Sequence, residues 1–157
     1  MDVIRAVQQS LYVIARSIVK NEEDCADAIQ ETIAKAFSNV HRLKEPAYFK
    51  TWIIRILINE CNRIIRKKKR VSPVPYDIRK SSYKGDYEQI ELFGVIDGLD
   101  EQLQTTVTLF YIEDLSVKEI SKVLNVSEGT VKSRLFRARQ QLSELALGEG
   151  EAKYELS

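Results

Sequence analysis

Val3, Val7, Leu11, Ile14 and Ile18 recur at spacings of four and three, the period that gathers side chains onto one stripe of a helix. This predicts a first helix that ends near Lys20 and Asn21. The acidic start from Asn21 to Asp24 suits the positive end of a helix dipole. Behind it, Cys25, Ile29, Ile33, Ala36, Phe37 and Val40 predict the inward stripe of a second helix. Asp27, Gln30, Glu31 and Lys35 fall on its other faces, where solvent or a partner can reach them. Pro46 breaks the pattern, and a third helix is predicted from Ala47 to Lys68. Phe49, Trp52, Ile53, Ile56, Leu57, Cys61 and Ile64 face inward on it, and Lys50, Arg55, Asn59, Asn62, Arg63 and Arg66 face outward. Three such stripes bury one common core, as in a helical bundle.

From Val71 the run VSPVPYDIRKSSYKGD has two prolines, a serine pair and a glycine without sustained periodicity, which reads as a flexible linker. Helical pattern returns over Tyr87 to Asp97 and over Asp100 to Glu113, with Leu103, Val107 and Phe110 on one face. Ser116 and Glu119 then have the spacing of a capping box, and Val117, Ile120 and Leu124 form a short apolar face. Asn125-Val126-Ser127 breaks the chain before a further helix from Glu128 to Leu147. Two helices joined by so tight a turn are a helix-turn-helix. The predicted organisation is therefore all-α, with two small helical domains. Residues 1–69 form an N-terminal bundle, 70–86 the linker, 87–147 a four-helix domain carrying the helix-turn-helix, and 148–157 a tail.

A length of 157 residues holds one ordinary domain or two small ones, in keeping with this division. With 44% hydrophobic residues, 6 Gly and 3 Pro, the chain is too apolar for disorder and too poor in turn formers for a β sandwich. A net charge of +1 conceals charge sorted into blocks. Lys50 to Lys84 holds eleven Lys/Arg against two acids, Asp86 to Asp114 eight acids and no base, and Leu115 to Gln140 six bases against two acids. Near-neutrality thus does not exclude a polyanion partner. Cys25 and Cys61 are too far apart for a CxxC pair, and His41 lies at no metal-ligand spacing from either, so neither disulfide, zinc site nor other metal centre is expected. No apolar run is long enough to cross a bilayer, and no secretory pattern opens the chain, which points to the cytoplasm. The chain has no phosphate-binding glycine loop and no nucleophile with a base beside it. Binding without catalysis or cofactor is the expectation.

In a helix-turn-helix the second helix enters the DNA major groove, with donors and small groups outward and apolar side chains inward. The helix from Glu128 divides in that way. Val131, Leu135, Ala138, Leu142 and Leu145 fall on the inward stripe, whereas Lys132, Ser133, Phe136 and Arg137 fall outside it, with Arg134 and Arg139 as flanking phosphate contacts. The basic run Arg63, Arg66, Lys67, Lys68, Lys69 and Arg70 ends the third helix, with Tyr48, Phe49 and Trp52 before it. A cationic track with aromatic faces suits single-stranded nucleic acid. Phe49 and Trp52 sit on the apolar stripe and read as core, which leaves Tyr48 as the candidate for base contact.

The runs DCADAIQETIAKAF, YFKTWIIRILINECNRIIRKKKR and LSVKEISKVLNVSEGTVKSRLFRARQQL, in this order around a proline-containing linker, resemble the extracytoplasmic-function group of bacterial sigma factors. The resemblance spans Leu11 to Leu142. It implies a promoter-specific initiation factor with RNA polymerase core, promoter DNA and an anti-sigma protein as partners, monomeric when free. By position it places Asp27, Gln30 and Glu31 against the clamp of the largest polymerase subunit. It puts the loop from Asn39 to Tyr48, with Asn59, at a pocket for a flipped base of the minus-ten element, a step that costs a few kcal/mol of stacking. Asn62 counts among the minus-ten contacts with Arg63, Arg66 and Lys67, and the basic end as a whole, Arg63 to Arg70, holds backbone phosphates. Lys132, Ser133, Phe136 and Arg137 read the minus-thirty-five element as duplex. The sequence departs from the family pattern in starting almost directly at the Val3 helix, in Arg63 where an acid often stands, and in Asp100 where a proline commonly opens the helix. The competing reading is a conventional helix-turn-helix regulator, dimeric on palindromic duplex DNA, which gives the Tyr48 to Arg70 constellation no use.

A 16-residue linker of this composition has a coil dimension of about 20 to 25 Å. That is less than one DNA turn of about 34 Å, although full extension reaches about 55 Å. Two elements more than a turn apart are read together only when something stretches the linker, and the polymerase is the natural agent. The free chain is therefore expected to bind promoter duplex weakly and to gain specificity on joining core. Nanomolar, sequence-specific binding by the free chain at physiological salt, in a titration with labelled duplex, contradicts this.

Overall fold

The computed structural model describes residues 2–71 and 87–155, with side chains described over 5–71 and 91–147. Every element among them is helical: α1 (Asp2–Val19), α2 (Glu22–Asn39), α3 (Phe49–Val71), α4 (Tyr87–Asp97), α5 (Glu101–Val107), α6 (Val117–Leu124) and α7 (Glu128–Glu155). The chain divides into two compact units, one built on α1, α2 and α3, the other on α4, α5, most of α6 and α7. α3 runs to Val71, slightly past the expected boundary, and the rest of the linker lies outside the described residues, as does the side chain of Val3. The tail expected from residue 148 continues α7 as far as Glu155.

In the first unit the three helices pack pairwise. Leu11, Ile14, Ala15 and Val19 of α1 meet Ile53, Ile54, Leu57, Ile58 and Cys61 of α3 in its core. α2 presents a different face from the one its large apolar residues predict. It buries Asp24, Cys25, Ala28, Thr32 and Ala36, while Ile33, Phe37 and Val40 are exposed, Phe37 to 84%. A helix touching two neighbours at once packs closely through small side chains, and the large ones are turned outward by the same rotation. Thr32 is buried at little cost because its hydroxyl donates to the carbonyl of Ala28 at 2.6 Å. On α3, Ile54 and Ile58 are buried, whereas Phe49, Trp52, Ile56 and Ile64 remain half-buried at the margin. Both cysteines are free and buried. Burial, with the nearby Glu22 carboxylate adding to it, pushes the Cys25 thiol up to about 12, and burial raises that of Cys61 too. Both stay protonated as small apolar fillers.

In the second unit Ile96, Leu99, Leu103, Val107 and Ala138 form a core, with Ile112 and Leu142 packed against it. Leu145, expected inward, is exposed. Asp100 and Gln141 exchange two hydrogen bonds: the Gln141 amide donates to Asp100 Oδ2 at 2.8 Å and accepts from the Asp100 backbone N–H at 3.1 Å. The aspartate at the head of α5 thus ties that helix to α7. α5 passes into a π turn, Thr108–Ile112, closed by the Glu113 N–H on the Thr108 carbonyl. The periodicity predicted continuous α-helix here, but a π turn admits one extra residue without ending the helical path.

The helix-turn-helix follows its predicted local chemistry. Ser116 and Glu119 exchange side-chain and backbone bonds of 3.0 and 3.1 Å, a capping box. α6 stops at Asn125, whose φ of 56° lies in the left-handed region that asparagine tolerates, and the Val126 N–H bonds back to the Ser121 carbonyl. Ser127 Oγ then accepts the Thr130 N–H at 3.0 Å and caps α7. Phe37→Ala is expected to change stability by no more than about 0.5 kcal/mol, as for a surface site. Leu57→Ala should cost about 2 to 5 kcal/mol. Urea denaturation of the two variants checks the inverted face of α2.

Candidate functional site

The first unit carries two of the predicted sets, and they meet. Asp27, Gln30 and Glu31 are exposed on α2, and with Asp24 they line one wall of a cleft of about 570 Å³. Arg63, Ile64, Lys67, Lys68 and Val71 of α3 line the other. One wall is acidic and the other basic. Asp24 makes the connection at the base. Its backbone N–H donates to Asn21 Oδ1 at 2.8 Å, which caps α2, and its carboxylate accepts from Asn21 Nδ2 at 2.8 Å and from Lys68 Nζ at 2.5 Å.

Glu60 supplies a second tie. Its side chain is buried, at 3% exposure, with one oxygen accepting from Lys35 of α2 and the other from Arg63 Nε at 3.0 Å. Burial alone raises a carboxyl, but these bonds and the two nearby positive charges outweigh it and hold the group below its ordinary value. Arg63, standing where an acid often does, is thus partnered by a carboxylate on the preceding turn. Part of its positive charge is therefore met within α3 itself. Lys35 and Glu60 were not among the predicted site residues, and the signal for them was the three-residue spacing from Glu60 to Arg63.

The remaining strand-contact candidates, Asn59, Asn62 and Arg66, are exposed. With Trp52 and Arg55 they recur at spacings of three and four and form one straight stripe down α3. Tyr48 is 64% exposed at the end of the 3-10 turn Pro46–Tyr48 that leads into α3. Phe49 and Trp52, read as core, are instead half-buried, with ring centroids 6.0 Å apart. Trp52 and Arg55 join the candidate strand face through that spacing. On α2, Phe37 follows Asp27 and Gln30 at spacings that keep it on their face, so this exposed polar face ends in an exposed aromatic ring. Its apolar character placed it in the core when read as sequence. Beside it an apolar groove of about 410 Å³ is lined by Val7, Ile33, Ala36, Val40, Phe49 and Ile53 among others.

In the second unit Lys132, Ser133, Phe136, Arg137 and Arg139 are all exposed on α7, Phe136 to 59%, opposite the buried Val131, Leu135 and Ala138. Arg134 differs. It lies near the edge of the inward stripe and is half-buried, with its Nε out of contact with solvent, so it packs along the domain while the others stand clear. Arg139 Nε donates to the hydroxyl of Tyr111 at 2.7 Å.

Both units match known proteins in sequence and fold. The sigma-70 region 2 family model matches residues 3–71 and the sigma-70 region 4 model residues 90–142. RNA polymerase sigma factor SigV of Bacillus subtilis (strain 168) is 33% identical over 134 residues, covering 83% of this chain and 81% of that protein. ECF RNA polymerase sigma factor SigM of the same organism is 28% identical over 152 residues, covering 92% and 93%. Among solved structures, the sigma factor RpoE in complex with the anti-sigma factor NepR from Bartonella quintana superposes with a TM-score of 0.75 at 22% identity, over 92% of this chain and 94% of that one. CnrH in complex with the cytosolic domain of CnrY gives 0.64 at 24% identity, over 94% and 86%.

Because the Glu60 carboxyl is held below its ordinary 4.5 in the folded protein, the stability it contributes is complete above that value. That stability is lost as pH falls through the lowered folded-state value. Glu60→Gln should cost about 1 to 3 kcal/mol at neutral pH and flatten the acid limb of the stability profile. Denaturant titrations of both proteins from neutral to acid pH test this, and parallel acid limbs would show that Glu60 is not ion-paired.

Proposed function

The chain belongs to the extracytoplasmic-function group of the sigma-70 family, and from that premise we propose a division of labour between its two units. As a sigma factor it joins RNA polymerase and directs initiation at particular promoters. In the proposal, Asp27, Gln30 and Glu31 dock on the clamp of the largest polymerase subunit, with Phe37 as an apolar anchor at the end of the same face. The α3 stripe takes the melted minus-ten strand. Tyr48 offers a stacking face, Asn59 and Asn62 offer amides to base edges, and Arg63, Arg66 and Lys67 neutralise phosphates. On α7, Lys132, Ser133, Phe136 and Arg137 enter the major groove of the minus-thirty-five duplex, and Arg139 grips its backbone. Arg134 has mainly a packing role. The protein acts by binding alone, in the cytoplasm where polymerase and promoter meet, and as a monomer when free.

What carries the reading is that all residues of the three sets except Arg134 are exposed on faces turned away from their own unit's core. Surface aromatic and amide side chains placed in this way are ordinarily there to be covered. The complex of RpoE with the anti-sigma factor NepR supports an anti-sigma protein as a further partner. No helix among the described residues is long and apolar enough to cross a membrane.

Run-off transcription with purified core polymerase on a promoter library tests the reading as a whole. A defined start site that depends on the added chain supports it, and no product with core overturns it. Replacing Gln30 and Glu31 together by Ala should abolish capture of core while the circular dichroism spectrum is unchanged. Undiminished capture would mean that the docking face lies elsewhere.

A further inference from the structure

We propose that Tyr111 is a positioning residue for duplex binding, and that its hydroxyl and the Arg139 guanidinium together form a clasp for one DNA backbone phosphate. The proposal rests on the reading that α7 lies in the major groove. Tyr111 stands in the π turn after α5, 48% exposed, and is held edge-on by Phe110 with ring centroids 4.9 Å apart. From there it meets α7. Arg139 Nε donates to its hydroxyl at 2.7 Å, and the guanidinium carbon lies 5.9 Å from the ring centroid. An arginine has five N–H donors in a fixed fork. With Nε engaged by the tyrosine, the two terminal nitrogens keep the edge that grips a phosphate in bidentate fashion. The tyrosine oxygen is accepting, so its own proton is directed elsewhere and can go to a second phosphate oxygen.

Position on the helix agrees. Lys132 and Arg139 are seven residues apart on one flank of α7, beside the outer face formed by Ser133, Phe136, Arg137 and Gln140. A flank next to a groove-reading face is where backbone contacts belong, and such contacts fix register without reading sequence. A long arginine side chain in solution loses rotamer freedom on gripping a phosphate, and a partner that holds it beforehand removes part of that loss. The π turn contributes by setting where Tyr111 leaves the α5 path. The plainer view is that Tyr111 and Arg139 only pin α5 to α7, and it predicts an effect on stability with none on the salt dependence of DNA binding.

The test uses holoenzyme reconstituted with core polymerase and duplex promoter fragments that the wild-type holoenzyme selects from a randomised library. Binding is measured against salt concentration and against base substitutions in the upstream element, with thermal melting of each free variant alongside. Tyr111→Phe should weaken binding about three- to tenfold on every sequence, with base preference unchanged. Arg139→Ala should lower the salt slope by about 0.9, and adding Tyr111→Phe to it should cost clearly less than Tyr111→Phe does alone. Tyr111→Gln, which keeps an acceptor for Nε, should recover part of the loss. The clasp is overturned if Tyr111→Phe binds like wild type, if it shifts preference at a base pair, or if its loss persists undiminished beside Arg139→Ala. Arg137→Ala separates this from the underlying reading. If it relaxes preference at one base pair while Tyr111→Phe is silent, only the clasp fails, whereas unchanged selectivity in Arg137→Ala removes the α7 reading and the clasp with it.

Discussion

A carboxylate with almost no access to water is tolerable only when its charge is met, and the first unit is organised around meeting that of Glu60. One oxygen takes Lys35 from α2 and the other Arg63 from the next turn of α3. Asp24 repeats the arrangement between the start of α2 and Lys68 near the end of α3. The order of these partners makes the two helices antiparallel and allows little sliding between them, because a shift in register would leave a buried acid without its base. The exposed polar face of α2, proposed for docking, and the stripe of α3 are therefore parts of one body. A partner that seizes the first presents the second in a set direction.

In the second unit the same purpose is reached through backbone termini. Asn125 accepts a left-handed conformation, Ser127 caps α7, and Asp100 and Gln141 lock the head of α5 to the middle of α7. These contacts are polar, and they act together with the buried Val131, Leu135 and Ala138 of α7. The direction of α7, on which any reading of duplex depends, is thus set by hydrogen bonds at its start and along one side and by the apolar stripe that it buries.

Much of this was legible in the sequence. The capping box at Ser116, the break at Asn125 and the inward Val131, Leu135 and Ala138 follow from residue type and spacing, because cap and turn chemistry acts over a few residues. α2 was misread for a physical reason. Helical periodicity says which residues share a face, but not which face the neighbours choose, and here close approach to α1 and α3 favoured Ala28, Thr32 and Ala36 over Ile33 and Phe37. The same limit applies to Glu60: its spacing to Arg63 shows one partner, but the other, Lys35 on a different helix, is visible only in the fold. The π turn at Thr108 has no pattern of its own, and no spacing in the sequence pairs Tyr111 with Arg139. Arg134 counted as one more base in a basic helix until its place beside the inward stripe became visible.

The Asp24–Lys68 pair has a consequence for distance measurement along DNA. It holds the last turns of α3, so the segment that leaves Val71 starts from a fixed origin. If α3 unwound by one turn, about four residues would pass into the connection and lengthen it by about 13 Å when extended. That gain is comparable to the rise of several base pairs. In the proposed division of labour, an ion pair between two helices of the first unit thereby helps to set the ruler by which the two promoter elements must be spaced.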